Sequence, residues 1–144
     1  MTLGRNEILI AVAIVAVLIL VAIPLLLSGS KQGQAAEVPL NVNAIRTAEI
    51  QYHDAFNEYI SAEAAPRAPH AVDPNPVAWA PSRGFKRLSW SPGTEAVVGS
   101  YAVIATSKGF TVSGACDVDG DGARATYEAS LEAEAKATSA ENVY

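Results

Sequence analysis

Residues 8–27 read ILIAVAIVAVLILVAIPLLL, twenty consecutive positions without a polar or charged side chain. At about 1.5 Å of rise per residue, a helix of that length covers roughly 30 Å, the hydrocarbon thickness of a bilayer. The run has no stripe of 3.6-residue period, so its helix must be covered on every side, by lipid or by other helices. Arg5, Asn6 and Glu7 stand immediately before it. Three fates fit such a segment: a cleaved secretory signal, a plain membrane anchor, or a helix that crosses the membrane and later packs against copies of itself. The apolar region of a signal is normally about 7–15 residues, shorter than this one, although Gly33-Gln34-Ala35 supplies a small-x-small site downstream.

Glu7 favours the third fate. An acidic residue abutting an apolar helix is costly in lipid and calls for a partner. Glu7 also precedes Pro24 by seventeen residues. With Thr2-Leu3 ahead and the Ala/Ile/Val/Leu run between, these features resemble the N-terminal helix of type IV pilins and of the pseudopilins of type II secretion. The resemblance implies that Glu7 pairs with the terminal amine of a neighbouring subunit during assembly. It implies that Pro24 marks where the helix bends or melts in the filament. The family's spacing places the first mature residue at Leu3, whereas Gly4, followed by Arg5-Asn6-Glu7, occupies the place of the usual cleavage glycine.

The fold implied is α+β: a long N-terminal helix, half apolar and half amphipathic, packed on a small antiparallel β-sheet head. The function implied is that of a structural filament subunit, with no enzymatic activity. Its implied partners are copies of itself in a helical filament, the inner membrane before assembly, the pilus assembly machinery and a prepilin peptidase. Its implied location is the inner membrane as a precursor and then an extracellular filament, where such subunits serve adhesion and motility. A type II secretion pseudopilin with a calcium site and a monomeric membrane-anchored calcium-binding protein are the alternatives.

At 144 residues the chain holds one soluble domain beyond the apolar helix. The net charge of −5 argues against a nucleic-acid-binding surface. Cys116 is the single cysteine, so no intrachain disulfide forms. Arg5 and the terminal amine before the apolar run favour an N-terminus inside, with everything after residue 27 outside the cytoplasmic membrane.

Residues 1–34 therefore form one unit, the transmembrane or filament-core helix, and 35–144 a globular head. Within the head, 35–62 reads as an amphipathic helix. Val38, Val42, Ile45, Ala48, Tyr52, Phe56 and then Tyr59 or Ile60 recur at spacings of three and four. The aromatic members are expected in the contact between helix and sheet. Asn41, Asn43, Arg46, Glu49, Asp54 and Glu58 lie between them as a solvated face. Pro39 implies a kink or the true helix start. Residues 63–82 hold five prolines, Pro66, Pro69, Pro74, Pro76 and Pro81, and read as a surface loop. Residues 83–144 read as β-sheet and tail. Strands are expected over 85–90, 97–106, 110–115 and 125–135, the second and third forming a hairpin around Ser107-Lys108-Gly109. Val143 and Tyr144 are expected to dock the tail.

The sharpest chemical motif is Asp117-Val118-Asp119-Gly120-Asp121-Gly122 with Glu128 downstream. It matches the calcium-loop pattern D-x-D-x-D-G-x5-E, Asp117, Asp119 and Asp121 at positions one, three and five and Glu128 at twelve. A hard cation takes six to eight oxygens, and alternating aspartates on a tight loop converge theirs. The flanks read as strand, so a calcium loop would sit on a β-hairpin. The same residues also form ordinary metal-free turns. No catalytic constellation stands out: His53, His70 and Cys116 have no recognisable partners in the sequence.

Overall fold

The computed structural model of the protein describes residues 31–141 and 143–144. Glu7 and Pro24, and with them the whole apolar run, lie outside the described residues. Among the described residues no helix is long and apolar enough to cross a membrane.

The domain is α+β, a helical stretch of 26 residues laid on an antiparallel sheet. The stretch consists of α1 (Lys31–Ala35) and α2 (Glu37–Phe56). Ala36 between them keeps helical angles, φ −64° and ψ −18°. Pro39 follows in the first turn of α2, where its missing N–H leaves the carbonyl of Ala35 without a ladder partner. The neighbouring bond from Leu40 N–H to Ala36 O stretches to 3.5 Å. The helix therefore loosens at Pro39 without breaking.

Five strands follow in spatial order β1-β4-β5-β6-β7. They are β1 (Ala62–Ala65), β4 (Ser100–Thr106), β5 (Gly109–Cys116), β6 (Ala125–Ser130) and β7 (Lys136–Ala137). A separate antiparallel pair, β2 (Val77–Ala78) and β3 (Ala96–Val97), makes a second, two-stranded sheet. The β4–β5 hairpin pairs Thr106 with Gly109, leaving Ser107 and Lys108 as a two-residue turn. This is the hairpin expected from the sequence.

The core is the seam between α2 and β4, β5 and β6. Ala35, Val38, Val42 and Ile45 are buried at helical spacing. They meet Tyr101, Val103, Val112, Ala125 and Ala129 in one cluster. Burying each Val or Ile contributes about 1.5–3 kcal/mol. Gly114 sets how closely the helix approaches. A Cβ there would stand 2.6 Å from Val38 Cγ1 and 2.7 Å from Val42 Cγ2.

Polar side chains complete the seam, which corrects the expected solvated face. Asn41 Nδ2 donates to Tyr101 Oη at 3.0 Å. Asn43 Oδ1 accepts the N–H of Ala135 at 2.7 Å. Arg46 donates to the carbonyls of Ser130 and Leu131 at 2.7 and 3.0 Å. Glu49 occupies the next buried position of the stripe, fully covered. Only Asp54 and Glu58 of the expected polar face are exposed.

Four further expectations are corrected. The helix stops at Phe56, not at residue 62, because Asn57 turns left-handed at φ 56° and its N–H caps the carbonyl of His53. Of the aromatic members, Phe56 is 65 % exposed instead of packing on the sheet, whereas Tyr52 and Tyr59 do pack against the core, Tyr59 with its ring 5.2 Å from that of Phe110 on β5. Residues 85–90 form a helix, α3 (Arg83–Leu88), and not a strand. Phe85 and Leu88 are both buried, one helical turn apart. Gly84 lies so close to the backbone of Ser61 and Ala62 that a side chain would collide with both. The strand expected to run to residue 135 ends at Ser130, where Ser130 and Ala133 exchange backbone hydrogen bonds and turn the chain into β7.

The proline-rich stretch also holds more structure than a bare loop. Its first residues belong to edge strand β1, Pro69–Ala71 make one 3-10 turn, and β2 pairs with β3. Arg67 staples it in place. Its guanidinium donates to Asp73 Oδ1 and to the carbonyls of Asp73, Asn75 and Val98, while its own carbonyl accepts Ser100 Oγ at 2.6 Å. The bond from Asn75 N–H, then the Arg67 guanidinium, holds the Asp73 carboxyl below its usual range. His70 is exposed.

The seam generates a direct expectation. Gly114→Ala drives a methyl into Val38 and Val42, neither of which has a flexible end to move aside. Urea denaturation of the full chain in detergent should show a loss of about 1–3 kcal/mol. Unchanged stability would show that the helix can lift off the sheet at little cost.

Candidate functional site

Register places the acidic turn. Cys116 pairs with Ala125 as the last rung of β5 and β6, and the eight residues between them form the connection. Asp117, almost fully buried, anchors it: Oδ1 accepts Gly120 N–H at 2.9 Å and Oδ2 accepts Gly122 N–H at 3.1 Å. Asp119 accepts from Asp121 N–H at 3.4 Å, and Asp121 accepts from Ala123 N–H at 2.8 Å. Gly120 and Gly122 take φ of 72° and 84°, a conformation that favours glycine. The turn is held from outside as well. Val118 N–H donates to the carbonyl of Tyr144 at 3.0 Å, and Gly120 abuts Pro74. The tail thus docks through Tyr144, whose hydroxyl also accepts from Gln32 on α1.

The ligand oxygens of Asp117, Asp119 and Asp121 all lie within 4.8 Å of one another. Three carboxylates on so short a turn are a donor set suited to a hard cation, with backbone carbonyls or water filling the remaining positions. Glu128 does not complete it, which corrects the expected twelve-residue loop. It stands on β6 opposite Ser113 and Lys136, exposed on the sheet face away from α2. Three residues of strand at about 3.3 Å each put it roughly 10 Å beyond the end of the turn. The residues present therefore fit a cation through three carboxylates and not through the fourth.

Cys116 is fully buried beneath this turn. Burial, then the charges of Glu37, Asp117 and Asp119, push its thiol up to about 12. A thiol held protonated is a poor nucleophile, in keeping with its role as a small core residue.

Two carboxylates on α2 also bear on the chemistry: half-buried Glu37, which no motif singles out, and Glu49, expected on the solvated face but fully buried. Glu37 accepts Tyr101 Oη at 2.8 Å and the N–H groups of Val98 and Gly99 at 3.2 and 3.3 Å. Burial nonetheless raises its pKa, against the pull of those bonds and of Arg67. The Tyr101 hydroxyl, buried and facing Glu37, is pushed well above the usual phenol range. Glu49 Oε2 accepts the N–H of Ile60 at 2.9 Å, while its buried Oε1 has no partner. Burial pushes this carboxyl up to about 7, only partly offset by the Ile60 bond. Its spacing signalled the position: Glu49 follows Val38, Val42 and Ile45 at the next place of the stripe.

Both sites yield expectations. The folded pKa of Glu49 lies above its ordinary value of 4.5, so the folded state binds the proton more tightly. That contribution is complete below the unfolded pKa and is lost as pH rises through about 7. Wild type should therefore lose roughly 2–3 kcal/mol relative to Glu49→Gln between about pH 5 and pH 8 in urea melts. Parallel pH profiles for the two proteins would show that Glu49 is ionised at no cost. At the acidic turn, millimolar calcium should raise the melting temperature of wild type but not of Asp119→Asn/Asp121→Asn. Indifference to calcium and to chelator would mark the turn as metal-free. No protein family, curated protein or solved structure matches the chain.

Proposed function

We propose that the chain is a structural subunit of a type IV pilus-like extracellular filament, assembled by packing of the N-terminal apolar helices. The reading rests on one observation, the joining of two halves. A twenty-residue apolar run headed by Glu7 continues, after a short polar stretch, into an amphipathic helix fastened along an antiparallel sheet. The helix that follows is clamped to the sheet by an apolar stripe and by Asn41, Asn43, Arg46 and Glu49, so that force applied to α2 reaches the sheet without the two hinging apart. That is what a filament subunit needs and what a flexibly tethered binding domain does not.

In this reading the subunit waits in the inner membrane and then exchanges lipid for sister helices in the filament. Apolar area stays covered throughout, so the transfer costs little. Glu7 sets axial register by meeting a cation, the terminal amine of the next subunit, where an unpaired carboxylate would be strongly unfavourable. The pilus assembly machinery and a prepilin peptidase are the partners this scheme requires. A type II secretion pseudopilin is the second reading, favoured by the convergence of Asp117, Asp119 and Asp121.

Glu7→Ala in cells expressing the chain should reduce surface filaments about tenfold or more, counted by electron microscopy, with the subunit still present in the membrane. Mass spectrometry of the mature subunit should show removal of the leader ahead of Leu3. Filaments of normal abundance from the variant would remove the proposed role of Glu7. An uncut protein that stays monomeric in detergent would remove the filament reading itself.

A further inference from the structure

Between the end of α2 at Phe56 and the start of β1 at Ala62, residues 57–61 belong to no helix or strand. Asn57 turns the chain left-handed and Glu58 is exposed. Ile60 then returns to the core, 4 % exposed, and its N–H donates to Glu49 Oε2 at 2.9 Å. That bond is a buried tie between the connection and α2. Other ties lie nearer the surface. Tyr59 stacks on His53, Arg87 pairs with Glu58, Tyr52 Oη donates to Glu58 Oε1 at 3.3 Å, and Ser61 Oγ accepts the N–H of Ala105 at 2.9 Å. Glu49 itself is wholly buried, and its Oε1 has no hydrogen-bond partner.

A carboxyl so placed suits one protonation state. Protonated, it offers Oε2 to Ile60 and carries no charge. Ionised, it leaves a carboxylate oxygen buried without a donor, which is strongly unfavourable. The sheet side of the seam supplies no counter-charge there: Val103, Val112 and Ala129 form one apolar rung, with Phe110 beside it. The charged and titratable groups around the corner are Arg46, Tyr52 and His53 on α2, Glu58 and Tyr59 on the connection, Arg87 on α3 and Glu132 on the turn after β6, none of them buried. Arg46 is engaged by the carbonyls of Ser130 and Leu131, and Arg87 by Glu58. Burial and the Ile60 bond act on the Glu49 carboxyl, the first raising it to about 7 and the second opposing. Relief must come from water, and water enters only where backbone can move aside. The strands are held by ladders on either side; residues 58–61 are not.

We propose that Glu49 is the peg of a proton-operated latch: protonated, it holds the 57–61 connection against the end of α2, and ionised, it releases that connection while the rest of the seam stays closed. The folded carboxyl binds its proton more tightly than an exposed one, so the latch is shut in acid and is lost as pH rises through about 7. Release uncovers Ile60 and loosens the seat of α3, because Gly84 rests on the backbone of Ser61 and Ala62. Burial of Glu49 makes the whole domain sensitive to pH; the latch is the place where it yields first. It stands independently of the filament reading.

Hydrogen–deuterium exchange of the full chain in detergent tests the latch, with rates corrected for the intrinsic effect of pH on exchange. Between about pH 5 and pH 8, the amides of residues 58–62 should exchange about tenfold faster or more in wild type. That exchange should ignore urea too dilute to unfold the domain, the mark of a local opening, whereas the amides of β5 should respond to it. Glu49→Gln should keep the corner closed across the range. Histidine side chains titrate in the same range, so His53→Gln is the control and should behave as wild type. Amides 58–62 that exchange as slowly as those of β5, with the same response to urea, would show that the corner opens only with the whole domain and would overturn the latch, whether or not the variants fold. A pH response that survives in Glu49→Gln, or that disappears in His53→Gln, would overturn the assignment to Glu49.

Discussion

The fold depends on how closely α2 can approach the sheet. Gly114 leaves a notch on β5, and Val38 and Val42 fill it. Everything else along the seam is a consequence of that distance. At this separation Asn41 and Glu37 reach Tyr101, Arg46 reaches the turn after β6, and Glu49 is sealed off from water. A helix held a few tenths of an ångström farther out would stretch each of these hydrogen bonds toward the length at which they stop contributing. The seam is thus apolar in its energy and polar in its specificity, with buried groups that must find partners fixing the helix in one register.

The acidic turn is built by the same logic on a smaller scale. Asp117 is buried at the end of β5 and organises the backbone by accepting two N–H bonds. Asp119 and Asp121 each fold back on the residue two positions on. The carboxylates therefore converge because each is tied to its own loop. Pro74 and the carbonyl of Tyr144 brace the turn from outside, joining three sequence-distant segments at one end of the head.

Much of this was legible in the chain. The helix period from Val38 to Ile45, the hairpin around Ser107-Lys108 and the Asp/Gly turn are local patterns, and local patterns survive folding. The misreadings came where tertiary contact overrides such patterns. Residues 85–90 alternate just enough to suggest a strand, yet Phe85 and Leu88 are one helical turn apart and Gly84 gives the helix its close seat on β1. Glu128 has the right spacing for a cation ligand, but the pleat of β6 turns it to the far face. Asn41, Asn43, Arg46 and Glu49 looked like a wet face because polarity is the usual mark of one. Only the fold reveals their partners: Tyr101 on β4 for Asn41, the turn after β6 for Asn43 and Arg46, and the backbone just past the helix, at Ile60, for Glu49.

The Arg67 staple divides the proline-rich stretch into what must stay and what is free to change. One guanidinium holds both ends of the excursion, gripping Asp73 and Asn75 on one side and Val98 on the other, while Ser100 returns a bond to its backbone. The residues at the crest, His70 and Ala71 among them, contribute little to the core. Evolution can rewrite that crest, or lengthen it, with folding left intact. The domain can thereby vary the surface of that crest while its architecture stays constant.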